Sequence, residues 1–290
     1  MNLFDIPGLW QMYTFCIVFL LGSLFMCGLF MDPCLLFTGK SVCNPGAEAY
    51  SSRIIAIGLL YVGIFFLALT YVNQKSRPKL KQLANMGMSS TIALIVSIIF
   101  IGPRSLGGEE NSILHMLDML TAFILLAIMV SATYDNSEMI TSNSPFAGLG
   151  VNPKTFLLSI SILVFMKLFV LSEFVNISVF LSDSDSMTSL SSVMWRFVIV
   201  IIFLILFPII FALIYGDEKD QEILTGLTVL MMIVSIISIL PMRHFLQGVI
   251  LTMSYISLGV VTLWAVIAIY TGRLTRRHEY EPISEVTIDA

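Results

Sequence analysis

Apolar residues fall in eight long runs along this chain, and polar residues gather between the runs. Each run approaches or exceeds the roughly 18 to 20 residues that an α-helix needs to cross about 30 Å of hydrocarbon. The pattern therefore predicts an all-α protein, a polytopic transmembrane bundle of about eight membrane-spanning helices. The runs are Met12–Met31, Ile54–Asn73, Leu83–Ile101, Leu114–Tyr134, Thr155–Phe180, Val193–Tyr215, Ile223–Leu240 and Phe245–Tyr270.

The runs leave little of the chain for a separate soluble domain. Residues 1–272 are predicted to form a single transmembrane domain of eight helices in four hairpins, and residues 273–290 a polar cytoplasmic tail. The longest connections, Asp32–Arg53 and Asp135–Lys154, have about 20 residues each and are too short to fold alone. The third and seventh runs are the shortest, and half of the topology would reverse if either did not cross the membrane.

The composition agrees with burial in lipid. Apolar residues make up 57 % of the chain and charged residues only 12 %, whereas about a quarter of a soluble domain is charged. So few charges cannot cover a surface in water, so the lipid bilayer is the expected surrounding. The net charge is −4, and no basic stripe exists to neutralise phosphates, which argues against nucleic acid as a partner.

The distribution of lysine and arginine predicts the orientation. With an even number of spans both termini share a side, and positive residues near helix ends favour the cytoplasm. If the termini are cytoplasmic, nine basic residues lie inside, five lie outside, and Lys167 falls within a span. We therefore expect cytoplasmic termini. The start of the chain lacks the Arg- and Ser-rich character of a transit peptide, so the plasma membrane or the endosomal and secretory pathway is favoured over the mitochondrion.

Two cysteines lie in the predicted first outer loop. Cys34 and Cys43 are flanked by turn-forming proline and glycine, and an extracellular or lumenal loop is oxidising. A disulfide between them is the natural interpretation, and two unpaired thiols are the alternative. Cys16 and Cys27 lie in the first span, where cysteine acts as a small apolar packing residue. No histidine or acid clusters with any of the four, so neither a metal site nor a cofactor is expected.

Each even-numbered run ends in a similar tag, an alanine followed two or three residues later by a tyrosine. Interfacial tyrosines place the ring among the headgroups and the hydroxyl in water, and this explains any one tag. Duplication of a helical hairpin is the alternative for all four. Unequal loops argue against an inverted four-plus-four repeat of the transporter kind. The tyrosines are Tyr71, Tyr134, Tyr215 and Tyr270.

Four ionisable residues lie within the apolar runs: Lys167, Asp118, His115 and Glu173. A charge buried in hydrocarbon costs at least about 2.5 to 3.5 kcal/mol, so it should be paired, hydrated or functional. One interpretation is a polar path or binding site lined by all four. The alternative leaves Asp118 and Glu173 at the outer interface, with Lys167 bonded to a backbone carbonyl or a serine. A direct bond from Lys167 to Asp118 requires the fourth and fifth helices to be neighbours.

The tail contains a short signal-like segment. Tyr280-Glu-Pro-Ile283 resembles a tyrosine-based sorting signal, which a cytoplasmic sorting adaptor would bind as an extended peptide with pockets for Tyr280 and Ile283. Matches of four residues also arise by chance.

No motif for catalysis is found: HExxH, GxSxG and a phosphate-binding glycine loop are all missing from the sequence. Enzyme activity is therefore not favoured. Two functions remain. The first is translocation of a small solute or ion along a path near Lys167 and Asp118. The second is a non-catalytic accessory or scaffold subunit that packs against other membrane proteins.

Overall fold

The computed structural model describes residues 8–29, 32–34, 47–105, 112–133, 144–146, 150–173, 189–242 and 248–280. These parts contain eight long α-helices, and each falls on one of the eight apolar runs, so the expected all-α helical bundle is confirmed. A short 3₁₀ segment, Leu240–Met242, extends the seventh. The helices are α1 (Leu9–Met26), α2 (Ala47–Asn73), α3 (Arg77–Ser105), α4 (Ser112–Thr133), α5 (Pro153–Glu173), α6 (Ser189–Ile214), α7 (Glu218–Ile239) and α8 (Gly248–Tyr280).

Six helices, α1, α2, α3, α6, α7 and α8, are long and apolar enough within the described residues to cross a membrane. They include α3 and α7, which correspond to the two shortest runs. For α4 and α5 the described apolar stretches are shorter, Leu120–Thr133 and Pro153–Val164. The helices are thus compatible with a multi-pass membrane protein, and the count of eight spans stays a prediction.

Four helices form the centre of the bundle. α2 and α6 pack against each other, α3 packs against both of them, and α7 also packs against both. On one side α1 and α4 cover α2 and α3, and on the other side α5 and α8 cover α6 and α7. The outer helices are therefore contributed as pairs by the two halves of the chain.

The two halves pack by the same plan. When α1 to α4 (the first half) are matched in order to α5 to α8 (the second half), every extensive helix contact has a counterpart. Thus α1–α2 matches α5–α6, α3–α4 matches α7–α8, α1–α4 matches α5–α8, and α2–α7 matches α3–α6. The α2–α6 contact matches itself and lies on the pseudo-twofold axis. Because each half has four helices, both halves run in the same direction, so the relation is a direct repeat and not the inverted one.

Each half closes in the same way. The end of α4 returns to the start of α1, where a Cβ on Gly8 would lie 3.5 Å from the Ala132 carbonyl oxygen. The end of α8 returns to the start of α5, where the Thr271 hydroxyl donates to the Val151 carbonyl. All odd-numbered helices begin at this end of the bundle and all even-numbered helices end there. We call it the terminal end.

Small residues allow the central helices to approach closely. A Cβ on Gly58 of α2 would overlap the Cγ2 methyl of Ile201 of α6, so glycine is required at this crossing of the two halves. A Cβ on Gly63 would lie 2.9 Å from Leu20 Cδ2 of α1. Such contacts are typical of helices that associate in lipid, where close van der Waals packing replaces the hydrophobic effect as the driving force.

Candidate functional site

Three polar contacts between the two halves follow the line along which α2 meets α7, which we call the α2–α7 seam. Such contacts are informative in an apolar bundle, because a polar group surrounded by hydrocarbon must find its hydrogen-bond partner within the protein. From the first contact to the last, α2 advances 20 residues, or roughly 30 Å at 1.5 Å per residue. The contacts are Arg53 Nη1 to the Ser238 carbonyl oxygen (3.2 Å), Tyr61 Oη to Ser235 Oγ (3.3 Å) and Asn73 Nδ2 to Asp220 Oδ1 (2.7 Å).

The equivalent α3–α6 contact has a different character. There Ile95 and Ile98 of α3 form an apolar cluster with Ala122 of α4, and Phe197 of α6 packs against it. The two matched seams therefore differ in chemistry, since one has three polar contacts and the other contains this apolar cluster.

Asp220 is the centre of a buried cluster at the terminal end of the seam. Its side chain is only 1 % exposed, yet both carboxylate oxygens have donors. Oδ1 accepts from Asn73 Nδ2 at 2.7 Å. Oδ2 accepts from the backbone N–H of Asp217 at 2.9 Å and from Lys79 Nζ at 3.2 Å. The three donors satisfy the hydrogen-bonding capacity that a buried carboxylate would otherwise lose with its water.

Lys79 of α3, in the first half, forms ion pairs with two carboxylates at the start of α7, in the second half. Its ammonium lies 2.5 Å from Asp217 Oδ2 and 3.2 Å from Asp220 Oδ2. The Lys79 side chain is 12 % exposed, whereas that of Asp217 is 74 % exposed. The Asp220 pair is therefore the shielded interaction, and the Asp217 pair is largely screened by water. One lysine against two carboxylates leaves these three side chains with a net charge of −1.

The local sequence explains why these groups meet. α6 ends in a tight turn at Gly216, where a Cβ would lie 2.6 Å from the Ala212 carbonyl oxygen, so only glycine fits. Asp217 then caps α7, and Glu218 and Asp220 lie in its first turn. Acidic side chains at a helix N-terminus are stabilised by the helix dipole. On the other half, Asn73 is the last residue of α2, and its amide also donates to the Leu69 carbonyl at 3.0 Å.

Known proteins do not help to identify the site. No family model, curated protein or solved structure matches the chain. The assignment therefore depends on the residues themselves.

The intramembrane charges predicted from the sequence are not brought together by the described helix contacts. α4 packs against α3 and α1, α5 packs against α6, α7 and α8, and α4 and α5 are not an extensively packed pair. This arrangement does not favour a direct bond between Lys167 and Asp118. The side chains of Lys167, Asp118, His115 and Glu173 lie outside the described residues, so their roles stay predictions.

Helical register nevertheless separates these positions. Ala122, Leu125 and Met129 form the buried stripe of α4, and positions 115 and 118 continue this stripe at intervals of three and four residues. On α5, position 167 follows the buried Ile160 by seven residues and continues its stripe. Position 173 is rotated well away from that stripe at 100° per residue. By register alone, position 173 of α5 is thus on a different face from position 167.

The remaining predicted sites fall partly outside the described residues. Cys34 is buried with its Sγ 3.6 Å from Glu48 Oε2, and among the described cysteines Cys16 and Cys27 are free. Cys43 is not described, so the Cys34–Cys43 disulfide stays a prediction. Tyr280 is the last residue of α8, and Ile283 is not described, so the sorting motif also stays a prediction.

Sequence reasoning missed the cluster at the terminal end. Lys79 was counted only as one of the basic residues that orient the chain, although Asp217 and Asp220 follow the sixth run at a similar position. The complementary charges of the two turns were a usable signal. These charges can be recognised as complementary only after α3 has been matched with α7. The sequence alone did not provide this match, and the packing of the helices did.

Proposed function

We propose that this protein is an integral membrane carrier that moves a small polar solute or ion between its two four-helix halves. The observation that carries the proposal is the common packing plan of the two halves around the α2–α6 axis. In several transporter folds, parallel repeats are related by an axis along the membrane normal, and the path runs between the repeats. Alternating access then arises when the halves rock against each other.

The α2–α7 seam supports this proposal by its chemistry. Its polar contacts occur at both ends and near Tyr61, over a length of roughly 30 Å, close to the thickness of the hydrocarbon core. We therefore assign the path to this seam and not to a site shared by Lys167 and Asp118.

An accessory or scaffold subunit is the second candidate, and the close apolar packing on the axis favours it. Gly58 and Ile201 leave no space between α2 and α6. In addition, α8 exposes a broad apolar face that includes Leu263 (63 % exposed) and Val260 (59 % exposed). Lipid or a partner protein would cover such a face. A subunit of this kind would hold its two halves in one fixed arrangement.

The number of arrangements of the two halves distinguishes the candidates without knowledge of the solute. Cys16 and Cys27 are first replaced by alanine, and spin labels are placed at the exposed positions Lys75 of the first half and Lys219 of the second. Electron–electron distances are then measured in lipid nanodiscs. A matched pair at Lys75 and Ser131 reports within the first half only.

A carrier gives two distance components for the pair between the halves and one component for the pair within a half. One narrow component for both pairs contradicts the carrier and favours the subunit. In that case purification in mild detergent should recover a membrane protein in stoichiometric amount with the chain. Two components for both pairs would indicate general disorder at this end and would also contradict the proposal.

A further inference from the structure

We propose that Asn73, Lys79, Asp217 and Asp220 form a clasp that closes the terminal end of the path, and that release of the clasp opens this end to water. The inference rests on the proposed carrier function. It assigns one named interaction to the transition between the two arrangements of the halves. In the orientation predicted from the basic residues, the clasp is the cytoplasmic closure.

The bonds of the clasp are of two kinds: one lies within the second half, and the others connect the two halves. Asp220 keeps its bond from the Asp217 backbone in any arrangement, since both belong to the same turn. The bonds from Asn73 and Lys79 both cross the boundary. When the halves separate at this end, water replaces those two donors. The clasp therefore opens without leaving a buried charge unpaired.

The chemistry of the clasp suits a reversible closure. A buried ion pair contributes little net stability, because removal of the two charges from water offsets most of their attraction. Closed and open forms can thus lie close in free energy, as a carrier requires. Large apolar side chains in the same place would hold this end shut, because opening would expose them to water. The directional bonds of the ion pair also define a single relative position of the two halves in the closed form.

The second half contains a more exposed ion pair that does not cross the boundary, with the Arg273 side chain 67 % and the Glu222 side chain 16 % exposed. Arg273 of α8 donates from Nε to Glu222 Oε1 of α7 at 2.6 Å. This pair also lies at the terminal end and also joins two helices. It connects two helices that move together, so its loss should not affect the separation of the halves. It therefore provides an internal control for the effect of removing an ion pair.

The test measures the distance between labels at Lys75 and Lys219 in nanodiscs for the full chain and three variants. Lys79→Met removes the ammonium, Asp220→Asn places an amide donor where the carboxylate accepted, and Arg273→Met breaks the control pair. We expect the ratio of the long-distance to the short-distance component to rise roughly tenfold or more in Lys79→Met and Asp220→Asn. Arg273→Met should leave the ratio within about twofold of the unchanged protein.

An unchanged ratio in both Lys79→Met and Asp220→Asn overturns the clasp, and so does an equal rise in Arg273→Met. The unchanged protein then decides the carrier function separately, because two components there support it and one component contradicts it. If Lys79→Met does not fold, Asp220→Asn and the conservative Lys79→Arg keep the test decisive. Lys79→Arg retains the charge and should preserve most of the short-distance component.

Discussion

Lys79 and Asp220 are each the third residue of their helix, α3 and α7, and their charged atoms lie 3.2 Å apart. Because α3 and α7 are matched helices, the two residues occupy matched positions in the two halves. In a symmetric dimer of one four-helix unit, these positions would hold the same residue and would repel each other. The ion pair can form only because the two halves have different residues at these matched positions.

The two aspartates of the cluster should contribute very differently to stability. Asp220→Asn should lower the free energy of unfolding in detergent by about 3 kcal/mol, because it breaks a buried pair and leaves donors facing each other. Asp217→Asn should cost no more than about 1 kcal/mol, because that carboxylate is 74 % exposed. Chemical unfolding followed by tryptophan fluorescence measures both. Equal losses would contradict the burial of the charge on Asp220.

The crossing of α2 and α6 should depend on glycine. Gly58→Ala should cost about 1 to 3 kcal/mol, because the new methyl group overlaps Ile201. In the Gly58→Ala protein, Ile201→Ala should cost at least about 1 kcal/mol less than it does alone, since it removes the overlapping group. Unfolding midpoints of the four proteins give this coupling. Gly226→Ala is the control: nothing lies within 4 Å of its Cβ, so it should be neutral or slightly stabilising.

The first predicted outer loop should be closed by a disulfide between Cys34 and Cys43. In intact cells, and in a protein that lacks Cys16 and Cys27, a membrane-impermeant maleimide should label neither residue before reduction. After a mild reductant it should label Cys43, whereas Cys34 is buried and should react slowly. Labelling before reduction would exclude the disulfide. Labelling only after the membrane is permeabilised would instead reverse the predicted orientation.

Lys167 should be reached by water if it lies beside the path. Lys167→Cys should react with a small charged thiol reagent in nanodiscs, whereas Leu163→Cys should react slowly because position 163 is on the outer surface of α5 (48 % exposed). The measured quantity is the ratio of the two labelling rates, which we expect to exceed about tenfold, since charged reagents avoid hydrocarbon. Equal slow rates would remove Lys167 from the path and leave the α2–α7 seam without this contribution.

The helices themselves could be predicted from the sequence, because a run of apolar residues long enough to cross a bilayer has few alternatives to a helix. Which helices are neighbours could not be predicted in the same way. The contact of Gly58 with Ile201 depends on packing between segments more than 140 residues apart, and no periodicity in either segment reports it. The repeated tyrosines suggested hairpins, but the packing unit is a pair of hairpins.

The candidate site was harder to predict for an electrostatic reason. Isolated charges such as Lys167 stand out within apolar runs, whereas Lys79 and Asp220 lie in polar turns where charges are expected. Their significance comes from burial, which depends on how the turns of the two halves meet. A charge in a loop becomes informative only when its partner and its exposure are known.

The central claim is that each half moves as a rigid body. A change in the separation of the halves at the terminal end must therefore change their separation at the opposite end. Spin labels at the exposed positions Ile99 of α3 and Ile237 of α7 report the separation of the halves at that opposite end. In Lys79→Met, which releases the clasp, we expect the Ile99–Ile237 distance distribution to shift toward its shorter component as the terminal end opens. An unchanged distribution, while the Lys75–Lys219 distance increases, would show local loosening of one turn and would contradict the account.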